Sequence, residues 1–174
     1  MIVLGIDPGT TQSAATLWDT ESQKVGPHWY GENNDLLTHM AEVLGLFPPK
    51  KWDRPHMVAI EMVASYGMAV GKDTFETCYW VGRFAECAQQ SAPSVSAKRV
   101  LRKDHVAMAL CQNRTAKDAN VVTALVDLLD PMREYGKYGK GTKKKPGPLY
   151  KIAKHNWSAL AVAVVAGNGH FMDI

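Results

Sequence analysis

Two carboxylates stand where short apolar runs end, and a histidine far down the chain is placed to join them. Ile2 to Ile6 carries no polar side chain and includes three β-branched residues, which suits a central strand covered on both faces. Asp7 closes that run and Pro8-Gly9 turns the chain sharply, so the acid is left at the strand's mouth. Met57-Val58-Ala59-Ile60 repeats the pattern and ends on Glu61. If the two strands are neighbours, their acids come within reach of one cation. His155, at the start of the last helical run, is then a third ligand or a proton carrier; the alternative is a first-turn histidine bonded to the preceding loop. Mg²⁺ prefers oxygen ligands and keeps several waters, so two carboxylates and a phosphate oxygen suffice, whereas Mn²⁺ also accepts imidazole. Two such ions, roughly 3.5–4 Å apart, activate water and stabilise the leaving oxygen in phosphodiester hydrolysis. Asp7 taken alone leaves other readings open. Turn amides and the hydroxyls of Thr10, Thr11 and Ser13 can shape the floor of a cation site, the Gly-Thr-Thr amides can cradle a phosphate, or the turn can simply join two strands of a hairpin.

The elements that must carry these groups are legible from periodicity. Ser13 to Trp18 and Lys24 to Gly31 read as second and third strands of a β-meander. From Asn33 or Asn34, Leu36, Leu37, Met40, Ala41, Val43 and Leu44 recur at helical spacing until Pro48-Pro49. After the Glu61 strand, Ser65 to Gly71 is a glycine-punctuated loop with an apolar tip. Asp73 and Glu76 then form a capping pattern for a helix to about Gln90, with Phe75, Tyr79 and Gly82 along its stripes. Gly82 would let another backbone come close, within the chain in preference to a second subunit. Ser94 to Arg102 alternates as another strand, Lys103-Asp104-His105 opens a short helix through Cys111, and Thr115 to Asp118 reads as a capping box. The helix that box opens turns Val121, Val122, Leu125, Val126 and Leu129 inward until Asp130-Pro131 stops it. His155 to Gly167 is an apolar, alanine-rich helix with His155 and Ser158 one turn apart on one face. Three strands, helix, strand, helix, strand, helices predict an α/β fold with a mixed sheet, its meander edge first and parallel crossovers after.

A chain of 174 residues suits one domain with a sizeable core, so residues 1–174 are expected to form a single unit. No apolar run approaches the roughly 20 residues of a spanning helix, and Met1 leads directly into a strand rather than a signal sequence. A soluble, cytoplasmic protein without a membrane partner is expected. Cys78, Cys87 and Cys111 lack the close pairs of a zinc site and read as reduced packing thiols. Net charge is +3, yet between Arg133 and Lys154 eight cations face only Glu134. That segment, about 131–153, is a glycine- and proline-punctuated basic loop on an otherwise acidic body, which points to a polyanionic partner met at a defined place.

At this point the residues resemble a known family. Gly-Ile-Asp7-Pro-Gly-Thr, the Ala-Ile-Glu61 strand, the Lys103 and Lys117 segments and the terminal His-x-x-x-Ala-Leu-Ala-Val-Ala helix look like the RuvC Holliday junction resolvases of the RNase H-like superfamily. The likeness runs through nearly the whole chain in order, and is closest to phage or prophage members through Glu-Met-Val-Ala-Ser-Tyr-Gly-Met and Lys-Asp-Ala-Asn. It implies an RNase H-like, five-stranded mixed sheet flanked by helices. It also implies a bacterial or phage-encoded homodimer that nicks four-way DNA junctions with Mg²⁺ or Mn²⁺. Family roles carry over to Asp7, Glu61 and His155 as catalytic residues and metal ligands. The departure is at Ser158, where RuvC proteins carry an aspartate before the Ala-Leu of the last helix. Asp118, which shares a helical face with Val121, Val122 and Leu125 and so points partly inward, is the candidate substitute ligand; its alternative is a capping role. Tyr66 and Met68 could wedge into a base step or fold back on the domain. Lys72, Lys103, Lys117, Lys143, Lys144 and Lys145 are candidate phosphate contacts.

Two rivals remain at this level. Asp-x-Gly-Thr-Thr also resembles the first phosphate loop of sugar kinases and chaperone ATPases, but the second lobe and second Asp-Gly loop of those proteins have no counterpart here. The other rival is a protein that binds branched DNA with weak or no nuclease activity, because Ser158 removes an acid.

Overall fold

β1 (Ile2–Asp7) is buried from Ile2 to Ile6, as a run without polar side chains must be, and a computed structural model describing residues 1–45, 52–64, 67 and 69–174 places it inside one sheet. β2 (Gln12–Asp19) folds back on β1, with Asp7 opposite Ala14, and β3 (Lys24–Glu32) folds back on β2, with Ala14 opposite Tyr30. On the other side, β4 (Met57–Met62) runs parallel to β1 with Ile6 beside Ile60, and β5 (Ser96–Leu101) runs parallel to β4 with Val100 beside Glu61. The expected five strands are present. A two-residue sixth, β6 (Met172–Asp173), adds antiparallel to β5, and the order is β3-β2-β1-β4-β5-β6.

The helices lie on both faces. α1 (Asn33–Leu44) and α2 (Lys72–Ser91) cover the face carrying Leu4, Ile6, Val58 and Ile60. α4 (Asp118–Leu129) and α5 (Asn156–Gly167) cover the face carrying Val3, Ala59 and Val100, and α3 (Met108–Cys111) continues a π-helical turn, Arg102–Ala107. Residues alternate faces along a strand, so Asp7 and Glu61 point the same way as Val3 and Ala59, toward α5. The Pro48-Pro49 stop expected for α1 lies outside the described residues.

α5 is the element that completes the site, and Gly5 sets its distance from the sheet. A Cβ on Gly5 would stand 2.2 Å from the Ala159 carbonyl oxygen and 2.7 Å from the Ala163 Cβ, so helix and strand touch backbone to side chain here. From Ala163 to Ala159 to His155 is one turn each, and from Gly5 to Asp7 is one step along the same strand face. Packing Ala159 and Ala163 on Gly5 therefore delivers His155 to Asp7. Asn156 locks the register from below: its buried side-chain amide donates to the Trp29 and Ala15 carbonyl oxygens at 2.8 and 3.4 Å, tying the first turn of α5 to β3 and β2.

Three local readings change. α2 starts at Lys72 after Gly71 with no side-chain cap, so the Asp73/Glu76 pattern is not used as a capping box. α4 starts at Asp118, and its capping side chain is Asn120, whose Oδ1 accepts from the Lys117 N–H at 3.0 Å; Thr115 instead closes a turn on the Asn113 carboxamide oxygen. Gly82 meets nothing within 4 Å, so the intrachain packing expected for it does not occur among the described residues. The basic stretch forms no helix or strand, but it is firmly held. Buried Asp130 accepts from the Glu134 and Tyr135 N–H groups, both at 3.0 Å, Gly141 bridges Pro146, and Leu149 and Ile152 are fully buried in the α5-side core.

Candidate active site

The C-terminal ends of three parallel strands meet around a cleft of about 240 Å³. β1 contributes Asp7, β4 contributes Glu61, and the residues just past β5 contribute Arg102 and Lys103, with Thr77 of α2 on the far wall. Such strand ends are where open α/β sheets place ligands. Asp7 and Glu61 are adjacent by register, each one step beyond the Ile6–Ile60 pair. The strands that end in these two acids are therefore sheet neighbours, as a shared cation would require.

Their environments disfavour two negative charges at once. Burial raises the Asp7 carboxyl above its ordinary range, opposed by the hydrogen bond and charge of His155. Burial, then repulsion from Asp7, pushes Glu61 up to about 8. Glu61 Oε2 is buried with no hydrogen-bond partner, an unsatisfied acceptor of the kind that costs free energy unless a proton or cation answers it. The donor set fits one hard divalent ion: two carboxylates at neighbouring strand ends, one with a free buried oxygen.

His155 reaches the site from the residue before α5. Its Nδ1 lies 3.0 Å from Asp7 Oδ2, and its ring stacks on Tyr30 with centroids 5.5 Å apart and planes 10° from parallel. Tyr30 is there because β1, β2 and β3 align Asp7, Ala14 and Tyr30 in one row, and the small Ala14 leaves room for the imidazole above it. With Asp7 ionised, Nδ1–H donates to it and Nε2 keeps its lone pair on a ring that is largely exposed. His155 is thus engaged through the carboxylate. Among the described residues, no three His, Cys, Asp or Glu side chains gather closely enough to enclose a metal ion.

Asp118 does not point inward as its helical face suggested. It is the first residue of α4, its side chain is 88% exposed, and Arg102 Nη2 binds its Oδ1. Its charge still raises both Asp7 and Glu61, so it stands near the site without joining it. Ser158 is half-buried one turn beyond His155. The buried hydroxyl of Ser13 is used structurally, accepting from the Gly9 N–H at 3.1 Å and donating to Asn33 at 2.6 Å. The Gly9 amide is thereby taken, and the phosphate-cradle reading loses a donor. The hairpin reading holds as well: Asp7-Pro8-Gly9 does join β1 to β2.

Arg102 is the group that sequence reasoning missed. Its guanidinium lowers both acids, binds Asp118, and leaves Nη1 buried and unpaired. Asp7 and Glu61 stand at the C-terminal ends of β1 and β4, and the same logic applied to β5 reaches Arg102. Of the candidate DNA contacts, Lys103 lines the cleft, Lys117 is exposed beside Asp118, Lys72 is exposed at the start of α2, and Lys143, Lys144 and Lys145 are exposed on the basic segment. Tyr66 and Met68 lie outside the described residues. No described helix is long and apolar enough to cross a membrane.

No protein-family model matches the chain, and no curated protein matches its sequence. Solved structures do match. The RuvC structure of Thermus thermophilus aligns over 100% of both chains with a TM-score of 0.69 at 20% identity. T. thermophilus RuvC in complex with a Holliday junction substrate aligns over 100% of this chain and 99% of that one, with a TM-score of 0.70 at 18% identity. At these identities the likeness is one of fold, and the fold is that of RuvC, as the resemblance in sequence implied.

Proposed function

We propose that this chain, folded as RuvC is, is a metal-dependent endodeoxyribonuclease that cuts four-way junctions or related branched DNA by phosphodiester hydrolysis. The observation that carries this reading is the Asp7–Glu61 pair at adjacent parallel strand ends, with Glu61 Oε2 buried and unanswered. The solved complex of a protein with this fold and a Holliday junction favours branched DNA as the substrate.

Asp7 and Glu61 would hold one Mg²⁺ or Mn²⁺. When bound, the cation supplies Lewis acidity toward the scissile phosphate. Asp7 also orients His155, whose exposed Nε2 takes or returns a proton as water attacks and the leaving oxygen departs. Tyr30 holds the imidazole plane in place. Arg102 and Lys103 face the same cleft and suit a phosphate oxygen. With Ser158 in place of an acid and Asp118 turned to Arg102, the donors support one ion rather than two.

A second reading, a branched-DNA binder with little nuclease activity, is favoured by Arg102, which already supplies positive charge among the acids. A nicking assay on synthetic four-way junctions, flaps and forks with Mg²⁺ or Mn²⁺ decides between them. Asp7→Asn is expected to abolish metal-dependent nicking while junction binding persists. A parent protein that binds junctions but nicks none of them establishes the second reading.

The family resemblance implies a homodimer, and α2 offers the surface for one. Phe75 and Tyr79 are 67% and 54% exposed, and Gly82 follows on the same stripe with open space above it. We assign this stripe to a second copy of the chain, packed helix against helix.

A further inference from the structure

A larger cleft of about 620 Å³ lies between α4, the basic segment and Trp157 of α5, and shares no lining residue with the candidate active site. The nuclease reading makes no use of it. Val122, Thr123 and Val126 of α4 form its floor, and Lys137, Tyr138, Lys140 and Trp157 form its walls. The cations are not loosely displayed. Lys140 Nζ lies 5.7 Å from the Trp157 ring centroid and 5.9 Å from that of Tyr138, and Lys137 Nζ lies 5.3 Å from the Tyr138 ring. The backbone beneath them is fixed: Arg133 donates to the Lys137 carbonyl oxygen at 2.9 Å, Gly147 donates to Lys140 O at 2.8 Å, and Leu149 donates to Gly139 O at 3.0 Å.

The geometry points to a binding site for single-stranded DNA in this cleft, one base lying against Tyr138 and Trp157 with its flanking phosphates on Lys137 and Lys140. Its volume falls within the roughly 300–1,000 Å³ of pockets that enclose small ligands, which suits a nucleotide unit. Aromatic rings interleaved with ammonium groups form the platform on which unpaired bases stack. A duplex keeps its base faces covered and offers such a cleft phosphates and groove edges but no ring face to stack. The site rests on the proposal above only in taking DNA as the polyanion, and it gives an unpaired strand at a branch point a place outside the cleft lined by Asp7 and Glu61.

The test is fluorescence anisotropy of the full chain with labelled oligo-dT in EDTA, across a salt series, so that no cutting is involved. Tyr138→Ala removes a half-exposed ring outside both cores and is expected to weaken oligo-dT binding at least about fivefold, whereas Tyr138→Phe retains it. Lys137→Gln combined with Lys140→Gln is expected to reduce the log–log salt slope by about 1.4. Unchanged oligo-dT affinity in Tyr138→Ala overturns the inference, as does an equal loss on a duplex of the same length. A protein that binds oligo-dT through these residues yet nicks no junction upholds the inference while sinking the nuclease reading; nicking without such binding does the reverse.

Discussion

With Asp7 alongside and one carboxylate oxygen buried and unbonded, Glu61 holds its proton at neutral pH. Its folded value of about 8 lies above the ordinary 4.5, so between those limits the native state carries one more proton than the unfolded chain. Stability contributed by the protonated group is complete below about 4.5 and falls as pH rises toward 8. Asp7, also raised by burial, pulls in the same direction. Glu61→Gln is therefore expected to melt higher than the parent in EDTA, by a margin that widens from pH 5 to pH 8. Mg²⁺ should stabilise the parent at pH 8 and have little effect on the variant, because a ligand that binds only the folded state raises its melting temperature. Thermal melts over that series check both statements, and a margin independent of pH contradicts the assignment. At this scale the sequence points to Asp7 and Glu61 because an acid ending an apolar run stands out, and to His155 because it heads the last apolar helix; the structure brings His155 and Glu61 each alongside Asp7. Arg102 was hidden because a basic residue after a strand is ordinary surface unless the two neighbouring strands are known to end in acids.

α5 and β1 act as a pair, and Gly5 is where they touch. Its would-be Cβ meets a backbone oxygen at 2.2 Å, which no rotamer change relieves. Gly5→Ala is expected to force the helix away, costing roughly 1–3 kcal/mol as overpacking does. It should also reduce nicking more than the stability loss explains, because His155 leaves Asp7. Denaturant unfolding and single-turnover cleavage on the same preparation separate the two effects. The helix itself was plain from its apolar run, and so were the strands. Which glycine would receive it was not, since a single Gly inside a strand has several uses and periodicity names no partner. The cap of α4 was misplaced for a similar reason: Thr115 and Asn120 are both competent capping residues, and only the turn at Asn113 removes Thr115 from the helix.

Across the whole molecule, charge and exposed apolar surface fall in different places. Eight of the 20 Lys and Arg residues lie between Arg133 and Lys154, beside α5, whereas the bare stripe of Phe75, Tyr79 and Gly82 is on α2, across the sheet. A pairing of two chains through α2 therefore leaves both basic segments outside the contact. Gly82→Arg is expected to turn a sedimenting dimer into a monomer, and to convert paired nicks on a junction into single, uncoordinated ones. Dimers that survive the substitution would place the contact elsewhere. The sequence disclosed the charge segregation directly, but its glycines and prolines concealed how firmly the basic segment is held. Leu149 and Ile152 are isolated aliphatic residues in a stretch broken by lysine, glycine and proline, so no periodic pattern announces that both are core.

Those two buried side chains mean that the positive lobe is no detachable appendage. They fill the same interior as Leu160 and Val164, so excising the lobe to make a smaller protein would hollow out the support of the helix that presents His155. Any shortened version must keep the lobe's roots, Asp130 at one end and Leu149 with Ile152 at the other, and shed only the lysine-bearing tip between them.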